Sequence, residues 1–248
     1  MESNALAPGW SPPRDTRFRR RILYLRHLLK GALLIRGGFP LCTLGEKNTG
    51  CGWTFSPAGL GPDSIVYSGG VGNDITFEHA LVKQFGCTVH LVDPTPTGMA
   101  TMKLRENQLQ QLKFLPVGLA GHCGTLRFAP PLHPGEGSWF STAEAPGAIE
   151  ARCLDLATLL AQNHHQRVDL LKLDIEGAEY GVIDHLLDQR IPVGQILVEF
   201  HDGLLPGIGQ RQTWGAILKL TRRGYKLIAE VGNNHTFVCP RAPVPKRS

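Results

Sequence analysis

Residues 64–96 constrain the fold of this chain more tightly than any other stretch. They read SIVYSGGVGNDITFEHALVKQFGCTVHLVDPTP. An apolar run from Ile65 to Tyr67 leads into a turn containing Gly69, Gly70 and Gly72. The pattern then predicts a helix from Thr76 to about Phe85, and a second apolar run from Val89 to Val92 ends on Asp93. Strand, glycine turn, helix and strand together make one βαβ unit. In this layout the backbone N–H groups of the turn can approach a ligand closely. The acid at the tip of the second strand can accept hydrogen bonds from a ribose diol.

What the glycine pattern lacks is informative too. A dinucleotide fingerprint would place a third glycine three residues after Gly72, where this chain has Ile75. That glycine lets the helix lie tight against the strand beneath a pyrophosphate, so its absence argues against a nicotinamide dinucleotide. The chain has no G-x-x-x-x-G-K-[S/T] run, which disfavours a P-loop. G-x-G-x-D with a ribose acid about 20 residues later suits S-adenosylmethionine, which carries a ribose and no phosphates. The plainer alternative is an ordinary strand–turn–helix corner.

A length of 248 residues fits one α/β domain with an N-terminal extension. The net charge of +5 is unevenly spread. Residues 14–36 carry +7 and the tail from Arg241 carries +3, which with Glu2 leaves −4 on residues 37–240. A mildly acidic body argues against a nucleic-acid-binding face on the domain. No apolar run approaches the ~18 residues of a membrane span, and no secretory leader pattern opens the chain. The six cysteines form no C-x-x-C pair, so zinc is unsupported and reduced thiols in a cytoplasmic protein are expected.

Three segments are expected: an extension at 1–49, a catalytic domain at 50–240 and a basic tail at 241–248. Within the extension, residues 18–35 read as a basic amphipathic helix. It would pack on the domain, join two subunits as a homodimer or touch an anionic membrane. Residues 36–63 read as a loop lead-in, with Trp53 able to cap a pocket. Beyond Asp93 the pattern predicts a helix at 97–111, a strand at 114–119 and a long Gly/Pro-rich excursion at 121–149. That excursion holds a short strand at 125–128 and offers Ser138, Trp139, Phe140 and Ser141 to a substrate. An edge strand at 151–155, a helix at 156–162 and a buried strand at 168–173 follow. A helix at 180–189, a strand at 195–200, a helix at 213–223 and a closing hairpin at 225–239 complete the order. Strands alternating with helices predict a doubly wound, mostly parallel sheet with helices on both faces.

A second constellation sits in LLKLDIEGAE, residues 170–179. Asp174, Glu176 and Glu179 cluster with Lys172 around the end of a buried strand, where open α/β sheets bind ligands. The next strand brings Glu199, His201 and Asp202 to the same edge. Charges just past buried strands cost free energy unless they are partnered or at work. For Glu176 and Glu179 the bland reading is a helix N-terminus that favours acids. Asp174, Glu176, Glu199 and His201 could also ligate a divalent ion, but no H-x-x-x-H spacing supports it, and no metal is expected.

Together these residues resemble the FkbM family of S-adenosylmethionine-dependent methyltransferases. The matching stretches are SGGVGNDITFE (68–78), FGCTVHLVDPTP (85–96), PVGLAG (116–121), LLKLDIEGAEYGVIDHLL (170–187) and ILVEFHDGLLPGIG (196–209). The resemblance implies a class I Rossmann-like fold, with a seven-stranded sheet ending in an antiparallel hairpin, and methylation usually on oxygen. It places Gly70, Gly72 and Asp74 along the methionine part of the cofactor, Asp93 and Pro94 at its ribose, and Gly118 beside it. Asp174 would stand between cofactor and acceptor. Ser68, Gly69 and Asn73 depart from the residues common in relatives. His201 is the expected general base, with Asp174 and Glu176 as alternates, and Glu199, His201 and Trp139 would face a small-molecule or carbohydrate acceptor. A nicotinamide oxidoreductase and a non-catalytic cofactor-binding module remain the alternative classes.

Overall fold

The structure is a computed structural model that describes residues 38–46, 52–131, 137–141, 145–203 and 209–240. The chain divides into Met1–Leu34 and Ile35–Ser248, and every described residue belongs to the second unit. The amphipathic helix expected at 18–35, Cys51 and the basic tail lie outside the described residues.

The βαβ unit forms as its sequence predicts. Strand β3 (Ile65–Gly69) leads through the glycine turn into helix α1 (Thr76–Phe85), and β4 (Thr88–Val92) lies parallel to β3. The first turn of α1 is held from outside, because the Asp74 carboxylate accepts from the Thr76 N–H at 2.7 Å. Gly86, at φ +69°, ends the helix with its N–H on the Val82 carbonyl. A left-handed cap of this kind favours glycine.

From this unit the chain moves both ways across one sheet. To one side, helix α2 (Pro96–Met102) leads to β5 (Leu112–Leu115) beside β4. To the other, β10 (Val168–Leu173) pairs parallel with β3, and helix α4 (Glu179–Asp188) leads to β11 (Val193–Glu199). Helix α5 (Gln210–Arg222) then feeds the antiparallel pair β12 (Lys226–Val231) and β13 (Asn234–Val238). The seven strands run β12-β13-β11-β10-β3-β4-β5. Right-handed crossovers moving in opposite directions put their helices on opposite faces of the sheet. The order reverses between β3 and β10, which opens a crevice at their carboxyl ends. All six residues of β10 are buried, as befits a central strand covered on both faces.

Four expectations need correction. The lead-in at 36–63 contains a hairpin, β1 (Cys42–Leu44) and β2 (Trp53–Phe55), whose Trp53 and Phe55 face inward by strict alternation. Helix α2 stops at Met102, and a short 3₁₀ turn follows at Arg105–Asn107, where the buried Asn107 amide donates to the Thr101 carbonyl. The strand expected at 114–119 is two strands, because β6 (Gly118–Leu119) leaves the main sheet. It joins β7 (Gly124–Ala129), β8 (Phe140–Ser141) and β9 (Ile149–Leu154) in a separate four-stranded sheet, where β9 is an inner strand between β6 and β7. Helix α3 (Leu156–Gln162) returns the chain to the main sheet, capped by Asp155 accepting from the Thr158 N–H at 2.7 Å.

The hairpin closes the core. Phe55 meets Phe77 at 5.7 Å and Phe85 at 6.1 Å, both edge to face. The Gln195 amide clamps the end of β2, accepting from the Ser56 N–H and donating to the Ser56 carbonyl. Phe55→Ala should therefore cost about 3–5 kcal/mol of stability in a denaturant titration. A loss below about 1 kcal/mol would mean that the hairpin is an accessory to the domain.

Candidate active site

Gly70 is where the site begins. Its φ is +88°, and a Cβ there would stand 1.9 Å from the Asp174 carbonyl oxygen. Its N–H donates to the Val92 carbonyl at 3.0 Å, and its own carbonyl accepts from Lys172 Nζ at 2.9 Å. Only glycine allows this approach, which joins the ends of β3, β4 and β10.

Asp93 holds the rest of the turn. Its Oδ2 accepts from the Val71 and Gly72 N–H groups at 2.8 and 3.1 Å, and its Oδ1 from the Thr95 N–H at 2.8 Å. A carboxylate offers about four acceptor positions, so one on Oδ1 stays open. Gly98 makes room for this acid, since a Cβ there would lie 2.4 Å from its Cγ. Thr101 secures the same turn by donating to the Gly72 carbonyl at 2.6 Å.

A cavity of about 540 Å³ opens between these strand ends, within the usual range for small-molecule sites. Gly70, Gly72, Asp74, Asp93, Pro94 and Gly118 all line it, as do Trp139, Asp174 and Glu176. The loop at 137–139 covers one side. Gly137 packs against the Asn73 backbone, the Trp139 indole N–H donates to Thr97 Oγ1 at 3.0 Å, and Ser138 hydrogen-bonds Glu176. His201 and Glu199, both expected to face the acceptor, are not among the lining residues; His201 instead contacts Asp174 and Glu176, which are.

Behind that wall is a carboxylate cluster built around one imidazole. His201 Nδ1 lies 2.7 Å from Glu179 Oε1, and Nε2 lies 3.3 Å from Glu176 Oε2 and 3.8 Å from Asp174 Oδ1. The same Glu179 oxygen accepts from the Ile175 and Gly177 N–H groups, so one fully buried side chain holds both the histidine and the turn. Glu176 sits in that turn at φ +50°, a left-handed conformation that costs a residue with a side chain about 1–3 kcal/mol. Asp174, Glu176 and His201 place one ligand atom each within 4.8 Å of one another, a set able to hold a divalent ion. Glu199 falls outside that set.

Charge is strongly coupled here. Burial disfavours the His201 imidazolium, but the hydrogen bond and charge of Glu179, helped by Glu176 and Asp174, outweigh it and push the group up to about 9. Burial raises Glu176, although His201 pulls the other way. Burial and the charge of Asp174 lift Glu199 to about 7. An imidazolium has no lone pair left to accept a proton.

Sequence reading passed over Glu78, Glu179 as an organiser, Gly98 and Thr101. Glu78 had a legible signal: it shares a helical face with Leu81 and Val82, three and four residues on, and all three are buried. The roles of Gly98 and Thr101 depend on where Asp93 and Gly72 lie in space.

The crevice at the switch point, the glycine turn and the ribose-type acid are the features of a Rossmann-like methyltransferase. The family model described as the methyltransferase FkbM domain matches residues 63–227. The chain belongs to the FkbM methyltransferase family. Curated relatives include "Probable methyltransferase-like protein 24" of Homo sapiens and of Rattus norvegicus, each 27% identical over 138 residues. Those matches take in 55% of this chain but only 32% of each relative, about a third of its length. Solved structures with a related arrangement include a Streptococcus mutans protein in complex with SAH. It is 9% identical with a TM-score of 0.40, over 72% of this chain and 88% of that one. Among the described residues, no helix is long and apolar enough to cross a membrane.

The imidazolium has a thermodynamic signature. His201 is raised in the fold from 6.5 to about 9, so its contribution is complete below pH 6.5 and is lost as pH rises through 9. The unfolding temperature of the wild type should fall over that window, and His201→Gln should flatten the fall. Parallel profiles for the two proteins would refute the coupled imidazolium.

Proposed function

We propose that this chain transfers a methyl group from S-adenosylmethionine to a hydroxyl oxygen of a small polar molecule or a sugar. The observation that carries the reading is the meeting of two constellations on one cavity. The glycine turn with Asp93 lines one part of it, and Asp174 with Glu176 lines another. When bound, the cofactor supplies an electrophilic methyl group on a sulfonium sulfur.

The residues of the chain do the rest. Asp93 offers its open Oδ1 position to a ribose hydroxyl while its other contacts keep the turn in shape. Trp139, Leu119 and Phe128 contribute apolar wall, and excluding water strengthens the electrostatics within. Alignment is the main catalytic contribution, with reacting atoms held about 3 Å apart. A hydroxyl gains nucleophilicity by losing its proton. Glu176, raised by burial and facing the cavity, is the group we assign to receive it, with Asp174 as the alternate. His201 is then a positioning residue: held by Glu179, it orients Glu176 and balances the charge of the cluster.

A second reading has support in the surplus of acids. Of the acids around His201, Asp174 and Glu176 line the cavity, and they would also attract an amine acceptor. A labelled-methyl screen that sets polyols and glycans against amines separates the two, and labelling confined to amines would reject the hydroxyl reading. Glu176→Gln should lower turnover about 10²–10⁴-fold while leaving cofactor affinity by calorimetry within about twofold. Unaltered turnover would remove Glu176 as the base.

A further inference from the structure

Beneath Gly70 lies a buried polar group that the reaction outlined above leaves unused. Glu78 comes from α1, Ser68 from β3 and Lys172 from β10, and all three are buried. The Ser68 hydroxyl donates to Glu78 Oε1 at 2.5 Å, and Lys172 Nζ lies 3.5 Å from the same oxygen. The Lys172 ammonium is shared, since it also donates to the Gly70 carbonyl and stands 3.7 Å from Asp174 Oδ2. Both neighbours therefore crowd onto one oxygen of Glu78. The other, Oε2, is buried without a hydrogen-bond partner in a side chain that is 1% exposed. Glu78 and Lys172 both line the cavity.

We infer that Glu78 is the recognition residue for the α-ammonium group of the cofactor's methionyl part, an inference that rests on the cofactor reading above. Two properties of the group select that ligand atom. First, the one ammonium at this floor, Lys172, is shared among Glu78, Asp174 and the Gly70 carbonyl, so the Glu78 carboxylate is only partly compensated and favours a further cation. Second, the unsatisfied atom is a hydrogen-bond acceptor and needs a donor. The sulfonium carries positive charge but has no N–H or O–H, whereas an α-ammonium carries both the charge and three donors. Ser68, next to last in the strand, is a small donor, which leaves room for the carboxylate to arrive from the helix and fixes its first oxygen. Lys172 holds the Gly70 carbonyl, so the acid and the turn above it are tied to one ammonium.

The test is calorimetric, on the full chain, with S-adenosylhomocysteine and its deaminated analogue. S-Adenosylhomocysteine keeps the ammonium and lacks the sulfonium. The wild type should prefer it over the deaminated analogue by roughly 10- to 100-fold. Glu78→Gln should bring that preference close to one, by weakening S-adenosylhomocysteine and leaving the analogue unchanged. Ser68→Ala keeps the carboxylate but releases its aim, and should narrow the preference partway. It serves as the informative variant if Glu78→Gln does not fold, which thermal unfolding reports. An undiminished preference in Glu78→Gln, or in Ser68→Ala where only that variant folds, would overturn the inference. So would an equal loss for both ligands, which marks a structural role, or a loss confined to S-adenosylmethionine, which marks a sulfonium contact. Failure of the wild type to bind S-adenosylmethionine or S-adenosylhomocysteine would instead strike the cofactor reading itself.

Discussion

Everything in the site depends on the approach of two strand ends at Gly70. Its backbone sits so close to the Asp174 carbonyl that no side chain fits between them. The Gly70 N–H is tied to β4 through Val92, and its carbonyl to β10 through Lys172. The Asp174 N–H in turn donates to the Gly69 carbonyl at 3.1 Å. Three strands that reach this point by different routes are thereby held in register at their carboxyl ends. The cavity is the space left above that junction, and neither its glycine half nor its acidic half could be placed without it.

The acids around the cavity are held in two ways. Asp93 is tied by backbone N–H groups, which fix a carboxylate in place without adding a countercharge, and Glu179 by backbone N–H groups together with His201. Asp174, Glu176 and Glu199 depend on charged neighbours, and there are more acids than cations to serve them. Burial then raises Glu176 and Glu199, while Glu179, helped by Glu176 and Asp174, pushes His201 up. The cluster thus combines acids that want a proton with a histidine that keeps one. That arrangement suits handling a proton, and it supports the proposal that the histidine organises the cluster while Glu176 takes the proton.

Most of the main sheet was legible in the sequence. The run Val168–Leu173 is apolar except for Asp169 and Lys172, and the period of Thr76–Phe85 is helical, so both elements declared themselves. The segment between Gly118 and Leu154 did not. Its strands are short and its turns rich in glycine and proline, and they became a second sheet only by pairing with one another. The hairpin at Cys42–Phe55 was hidden for a similar reason, since three-residue strands carry too little alternation to stand out. Helix α2 ended early because Asn107 turned inward, a choice made by a buried side-chain hydrogen bond and not by helical period.

The candidate site divides along the same line. Local chemistry marked Gly70, Gly72, Asp74, Asp93, Asp174, Glu176 and His201, because glycines in a strand-to-helix turn and charges after buried strands are conspicuous in one dimension. The sequence by itself therefore determined the class of fold, the edge at which the cavity opens and the inventory of groups available there. Only the tertiary structure decided which acids line the cavity and which gather around His201. It also brought Glu78, Ser68 and Lys172 under one glycine from three separate elements. These placements turn on distances of a few ångströms and on exclusion of water, and both arise only when distant segments pack together.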